Sequence, residues 1–285
     1  MTNLNLFLKL IRVYQWHKNF ILFAPIFFSA QITNENLFNL ILGFILFCFL
    51  SSSIYVLNDL VDKKKDQKHF KKRFRPIASG DISNNFAIYI FIILFFFAVL
   101  ILLYLNPNKI TIVSFLSYFL INIFYSLILK NIAILEMFLV SSGFIIRLIF
   151  GAAIINVNLS NWIIISIGLL ALLMVIGKRK SDLLSSEYND SKYSVYFLDM
   201  LGTCVSGVVI TSYILFCLSD YSKTQFGNYT IISSVFVIYA VIYYLKIILL
   251  NKNTGDPSEL VIKDPHIFLT VFFWILFFIL TIYVY

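Results

Sequence analysis

The chain has 285 residues, of which 60% are hydrophobic and 13% charged, with a net charge of +8. Soluble domains carry about 25% charged residues, and a globule of this composition could not coat its own surface with polar groups; a soluble enzyme, a disordered chain and a nucleic-acid-binding domain are thereby excluded. What remains is a polytopic membrane protein whose long continuous apolar stretches read as helices, not as barrel strands.

In chain order, Leu4, Phe7, Leu8, Ile11 and Tyr14 fall on one helical stripe with Lys9 and Arg12 off it, which predicts an amphipathic interfacial helix. The apolar run behind it follows 16 residues of mixed sequence and does not read as a cleavable signal peptide. Nine spans are predicted, at roughly 17–31, 37–57, 86–105, 110–129, 132–156, 161–177, 199–219, 229–250 and 266–285. Lys and Arg stay on the cytoplasmic side. With nine spans, 18 of the 22 Lys and Arg residues share a side with the N-terminus, Lys109 and Lys223 lie opposite, and Arg147 and Lys246 lie within spans. The expectation is an all-α, single-domain protein of the inner (plasma) membrane with a cytoplasmic N-terminus. Its two long polar loops, 58–85 and 178–198, then face the cytoplasm, and polar chemistry belongs at that end of the bundle. Cys48, Cys204 and Cys217 lie in apolar stretches without metal or disulfide spacing and read as core residues.

The second span closes on Asn58, Asp59, Asp62 and Asp66. Asn58, Asp62 and Asp66 are spaced by four, so they line one helix face over two turns, and Asp59 is expected to point away from it. Three stacked oxygen side chains suit a hard cation such as Mg2+, which takes a few carboxylates plus water and phosphate oxygens. A solvated helix end with surface pairs is the plainer alternative. A basic run, Lys68 to Arg75, comes directly after. Lys63, Lys64, Lys65 and Lys68 are explained by membrane orientation and anionic lipid, whereas Lys72, Arg73 and Arg75 are read as phosphate ligands.

The sixth span closes on Lys178, Arg179, Lys180 and Asp182, with Glu187 shortly after. Asp182 follows Asp62 by 120 residues and Lys178 follows Asn58 by the same interval. That echo predicts two parallel four-helix halves, about 17–129 and 132–250, and a last helix 266–285, with both halves aiming polar groups at one cavity. Lys178–Lys180 could equally be a second orientation cluster. Within the spans, Glu136 either reaches the cavity or makes a packing hydrogen bond. Arg147, about 16 Å further along the helix, reads as structural. Asp199 reads as a helix-dipole partner. His17, His69 and His266 have no readable partner, and none is assigned as a base.

The Asn58–Asp66 face closing a span resembles the first aspartate-rich motif of the UbiA prenyltransferase superfamily. The continuation Lys72-Arg73-Phe74-Arg75-Pro76-Ile77-Ala78-Ser79-Gly80 resembles its decaprenyl-phosphate phosphoribosyltransferase branch. Gln15-Trp16-x-Lys18-Asn19 and Tyr125-Ser126-Leu127-x-Leu129-Lys130, followed by Glu136, Gly143, Arg147 and Gly151, do so too. The resemblance covers roughly 12–275. Where the superfamily carries a second acidic cluster, this chain has Lys178-Arg179 before Asp182, as that branch does. The resemblance implies a transferase that moves phosphoribosyl from phosphoribosyl pyrophosphate (PRPP) to a polyprenyl phosphate, with Mg2+ on Asn58, Asp62 and Asp66. Asp62, Asp66, Lys72, Arg73, Arg75 and Asp182 would be its catalytic groups. Lys18, Asp59, Lys130, Glu136, Lys178, Arg179 and Glu187 would contact substrate, with Lys18 and Lys130 on the lipid phosphate. A prenyltransferase acting from a prenyl diphosphate, and a membrane transporter, are the alternatives.

Overall fold

The computed structural model describes residues 3–185, 192–250, 260 and 263–283, and no strand occurs among them. Helix α1 (Asn3–Leu10) comes first. Arg12 then adopts a left-handed conformation, φ 51° and ψ 51°, and turns the chain into a 3-10 helix, Val13–Phe23. Helix α2 (Ala24–Ser29) continues it, with Pro25 in the first turn, where its missing N–H costs nothing. This is a difference from the expected first span, because no single regular helix forms over 17–31. Eight helices among the described residues are long and apolar enough to cross a membrane. The expected amphipathic stripe also divides: Ile11 is buried and Phe7 half-buried, while Leu4, Leu8 and Tyr14 stay exposed.

Helix α3 runs from Asn34 to Gln67. Thr33 caps it by accepting the Asn36 amide at 3.1 Å. Its 34 residues rise about 51 Å against about 30 Å of hydrocarbon, so the polar end from Asn58 onward has room to project as continuous helix. A 3-10 turn, Lys72–Phe74, leads into the short α4 (Pro76–Ser79). Helices α5 (Asn84–Tyr104) and α6 (Lys109–Leu127) are capped by Ser83 and Asn108. Helix α7 spans Leu135–Ile154 and α8 spans Asn161–Ser185. Next come α9 (Val195–Leu218), α10 (Asp220–Phe226), a 3-10 turn Asn228–Ser233, α11 (Ser234–Leu249) and α12 (Pro265–Tyr283).

The chain divides into two compact units, Met1–Leu139 with Gly143–Leu159, and Val140–Ser142 with Ser160–Tyr285. In the first, Leu22, Leu46, Phe47, Leu50, Phe115 and Phe150 form one core, and Leu10, Ile11, Val56, Ile77, Ile90 and Leu94 a second. Phe47 meets Phe150 edge-on at 4.7 Å between centroids, an arrangement favoured by ring quadrupoles. Gly151 lies so close to the 3-10 helix that a Cβ there would stand 2.3 Å from the Leu22 carbonyl oxygen. In the second unit α8 packs on α9, α9 on α11 and α11 on α12. A buried polar thread, Trp274 Nε1 to Tyr213 OH at 2.7 Å and Tyr213 OH to Ser233 Oγ at 2.8 Å, crosses its interior.

Candidate active site

The polar end of α3 gathers charge from three other segments of the first unit. Arg75 Nη1 donates to Asp59 Oδ1 at 3.0 Å and to Asp66 Oδ2 at 2.7 Å. Arg12 Nη2 also donates to Asp59 Oδ1. Lys130 Nζ donates to Asp62 Oδ1. Asp59 and Asp66 are almost fully buried, at 2% and 4% exposure; burial on this scale requires ionic partners. Asp62 and Asn58 are more open.

Asp59 corrects the expectation that it points away. Seven residues are two turns less about 20°, so Asp59 lies nearer Asp66 in azimuth than Asp62 does, at about 40°. One arginine nitrogen therefore reaches both carboxylates.

Local sequence explains how Arg75 arrives there. The residue before a proline is pushed out of helical conformation, and Arg75 is extended at φ −67° and ψ 142° ahead of Pro76. Ile77 is fully buried, Gln67 Nε2 donates to the Ala78 carbonyl at 3.2 Å, and Gly80 closes α4 at φ 89°, where glycine is unstrained. His69 shapes the preceding turn: its Nδ1 accepts the amides of Lys71 and Lys72 at 3.2 and 3.3 Å. Lys72 is half-buried beside it. Arg73 is exposed, and its guanidinium lies 4.9 Å from the Phe74 ring and 5.7 Å from Phe70, away from the carboxylates.

Arg12 is a site residue that the sequence reading did not single out. Its guanidinium also lies 4.9 Å from the Tyr55 ring. Burial is the largest influence and works against its charge, but the Asp59 carboxylate together with Tyr14 and Tyr55 outweighs it and the pKa rises, so Arg12 is a fixed cation.

Lys130 sits on the 3-10 turn Leu129–Asn131. Glu136, buried in the first turn of α7, lies 3.5 Å from Tyr125 OH. Lys18 is half-buried on the 3-10 helix. Arg147 is buried deeper, bonded to Asn19, Tyr118 and its own helix, which matches a structural reading.

In the second unit, the end of α8 carries Lys178, half-buried, and Arg179, whose Nη1 lies 3.4 Å from Asp182 Oδ2. Lys180 turns inward instead. It is 2% exposed, donates to Asp199, and donates to the Ile248 carbonyl at 2.9 Å. Asp199 is thus the partner of a buried lysine, more than the helix-dipole group expected of it. Glu187 lies outside the described residues.

By donor chemistry the face at α3 would suit a hard cation, although here Asp66 is bonded to Arg75 and Asp62 to Lys130. The donor set is all oxygen, from Asn58, Asp62 and Asp66. Among the described residues no group of three His, Cys, Asp or Glu side chains could hold a metal, so an ion here would complete its shell with water and substrate oxygens, as Mg2+ characteristically does.

Comparison with known proteins bears on the family and the fold. The decaprenyl-phosphate phosphoribosyltransferase of Corynebacterium glutamicum is 28% identical over 97% of this chain and 86% of its own length. The protein of the same name from Mycolicibacterium smegmatis is 26% identical over 94% of this chain and 89% of its own. A UbiA homologue from Archaeoglobus fulgidus, solved bound to DMAPP and Mg2+, superposes with a TM-score of 0.73 at 18% identity, covering 98% of this chain and 99% of that one; its complex with GPP and Mg2+ gives 0.72 at 19% identity, covering 97% and 99%. Residues 20–276 match the model of the UbiA prenyltransferase family, and the chain belongs to that family of integral-membrane transferases.

Proposed function

We propose that the protein transfers the 5-phosphoribosyl group of PRPP to a polyprenyl phosphate, with Mg2+, and releases pyrophosphate. The observation that carries this reading is the end of α3, where three carboxylates meet Arg12, Arg75 and Lys130. Such a set can take a metal-bound diphosphate on its acids and spare phosphate oxygens on its cations. The names of the relatives at 26–28% identity support the choice of PRPP. So does Lys178-Arg179 in place of a second acidic cluster, since two anionic substrates repel unless extra positive charge offsets them.

Held by Asn58, Asp62 and Asp66, Mg2+ would supply Lewis-acid stabilisation of the departing pyrophosphate. Arg75 and Lys72 neutralise phosphate oxygens of the donor, with Arg73 at the exposed rim. Arg12 holds Asp59, and through it Arg75, in place. Lys130 and Lys18 orient the lipid phosphate. Glu136 faces Tyr125 at the margin of the site. The C1–O bond to pyrophosphate breaks and a C1–O bond to the lipid phosphate forms. The acceptor is already an anion at neutral pH and needs no strong base, in keeping with the absence of any assigned histidine. The work is positioning and charge stabilisation. The charge asymmetry supports a cytoplasmic place for this end of the bundle, on the side of a soluble phosphorylated-sugar donor.

A second reading keeps the fold and takes a prenyl diphosphate as donor. It is favoured by the DMAPP and GPP complexes of the Archaeoglobus homologue. Incubating the purified protein with Mg2+, polyprenyl phosphate and either labelled PRPP or a labelled prenyl diphosphate decides between them. Phosphoribosyl-lipid seen by mass spectrometry is the expected product; transfer from the prenyl diphosphate alone overturns the reading.

A further inference from the structure

The interior of the first unit holds a cation that the proposed mechanism does not use. Arg147 is 5% exposed, Asn19 1% and Tyr118 4%. Arg147 Nε donates to Asn19 Oδ1 at 2.7 Å, Nη2 to Tyr118 OH at 2.6 Å and Nη1 to the Gly143 carbonyl at 2.9 Å. The rings of Tyr118, Phe144 and Phe47 lie 4.7, 5.7 and 5.8 Å from its guanidinium carbon. Its partners are an amide, a phenol and a carbonyl, with no carboxylate among the described residues. A buried charge without a counter-ion is costly, and an apolar side chain would fill the space without that cost. What the guanidinium adds is direction: three fixed bonds, two to other segments and one to its own helix.

One of those segments is unusual in itself. Runs of 3-10 helix beyond three or four residues are uncommon, yet Val13–Phe23 has 11. The 3-10 winding repeats every three residues, which puts Val13, Trp16, Asn19 and Leu22 on one face. That face is the anchored one. Trp16 Nε1 donates to Ser52 Oγ at 3.0 Å, Asn19 meets Arg147 and also Cys48 Sγ at 3.4 Å, and the Leu22 carbonyl sits on Gly151. In an α-helix the same four residues would spread around half the circumference. Directly before the segment stands Arg12, on Asp59.

The geometry points to Arg147 as a positioning residue for the α3 site: by holding Asn19 it keeps Val13–Phe23 in 3-10 winding, and that winding delivers Arg12 to Asp59. This rests on the proposed function of that site. Relaxation to α-helix would shorten the 11-residue segment by about 5 Å and rotate Arg12 away. Arg147 acts about 14 Å from Arg12 along the segment, at the 3-10 rise of about 2 Å per residue, and is not itself a substrate ligand.

The test is a double-mutant cycle on the full chain in lipid nanodiscs, read as affinity for Mg2+ with inorganic pyrophosphate by calorimetry. Arg12→Gln and Arg147→Met are each expected to weaken binding about tenfold, and the double variant no more than about twofold beyond Arg12→Gln. Losses that multiply would overturn the proposal, since a merely structural Arg147 acts independently of Arg12; so would unchanged binding in Arg147→Met. If Arg147→Met does not fold, Asn19→Leu takes its place, and Asn19→Asp, which keeps an acceptor for Nε, should restore most of the loss. Hydrogen exchange gives a readout without ligand. Amides of 13–23 should exchange faster in Asn19→Leu while those of α5 and α6 stay protected, and unchanged exchange at 13–23 refutes the pin. If the wild-type protein does not bind Mg2+ with pyrophosphate at all, the site reading fails, and exchange alone decides the fate of the pin.

Discussion

Arg75 shows how much rests on single atoms in this protein. Its Nη1 serves two buried carboxylates at once. Arg75→Met should therefore cost about 3 kcal/mol of stability, the range for removing one partner of a buried ion pair, measured by thermal or denaturant unfolding in detergent. Lys180 tests the opposite kind of role. Buried against Asp199 and Ile248, it should behave as a structural lysine, so Lys180→Met lowers the melting temperature and leaves the KM for PRPP within about twofold. A raised KM with unchanged stability would make it a phosphate ligand instead. The contrast reflects how much a sequence can carry at this scale. The four-residue spacing from Asn58 to Asp66 is local, and so it is readable. Asp59 falls off that spacing, and only the step of seven to Asp66 brings it back to the same side of the helix. Arg12 meets Asp59 across 47 residues, through a left-handed turn that no pattern announces. Lys180 is indistinguishable by type from the lysine and arginine beside it, and only the packing of α8, α9 and α11 turns it inward.

At the scale of elements, hydropathy finds the long helices and their order but does not tell 3-10 from α winding over 13–23, because both bury an apolar face. The three-residue spacing of Val13, Trp16, Asn19 and Leu22 is the available signal. Gly151 gives this element its own prediction. A methyl group there would collide with the Leu22 carbonyl, so Gly151→Ala should destabilise by about 1–3 kcal/mol, as overpacking does. Gly207, whose Cβ would meet nothing within 4 Å, is the control: Gly207→Ala should be neutral or stabilising by up to about 1 kcal/mol from helix propensity. Equal melting temperatures for the two variants would contradict the close contact between α7 and the 3-10 helix.

For the whole molecule, the charge asymmetry and the first unit bear on one topology. Arg12 bonds Asp59 near one end of α3, while α2 ends at Ser29, just before the other end at Asn34. Those α3 residues are about 38 Å apart, so the 3-10 helix and α2 together run most of the length of α3. In a cysteine-free background, a single cysteine replacing Lys9 or Lys68 should therefore be labelled from the cytoplasmic side, and one replacing Lys109 from the other. Labelling of positions 9 and 68 from opposite sides would break the topology. Beyond topology, the central claim is that the acid face of α3 binds a metal-complexed diphosphate. Calorimetric titration of Mg2+ with pyrophosphate into wild-type protein and Asp62→Asn tests it most directly. The account predicts saturable, Mg2+-dependent binding that falls by about tenfold or more in the variant; binding that is independent of Mg2+, or equal in the two proteins, would contradict it.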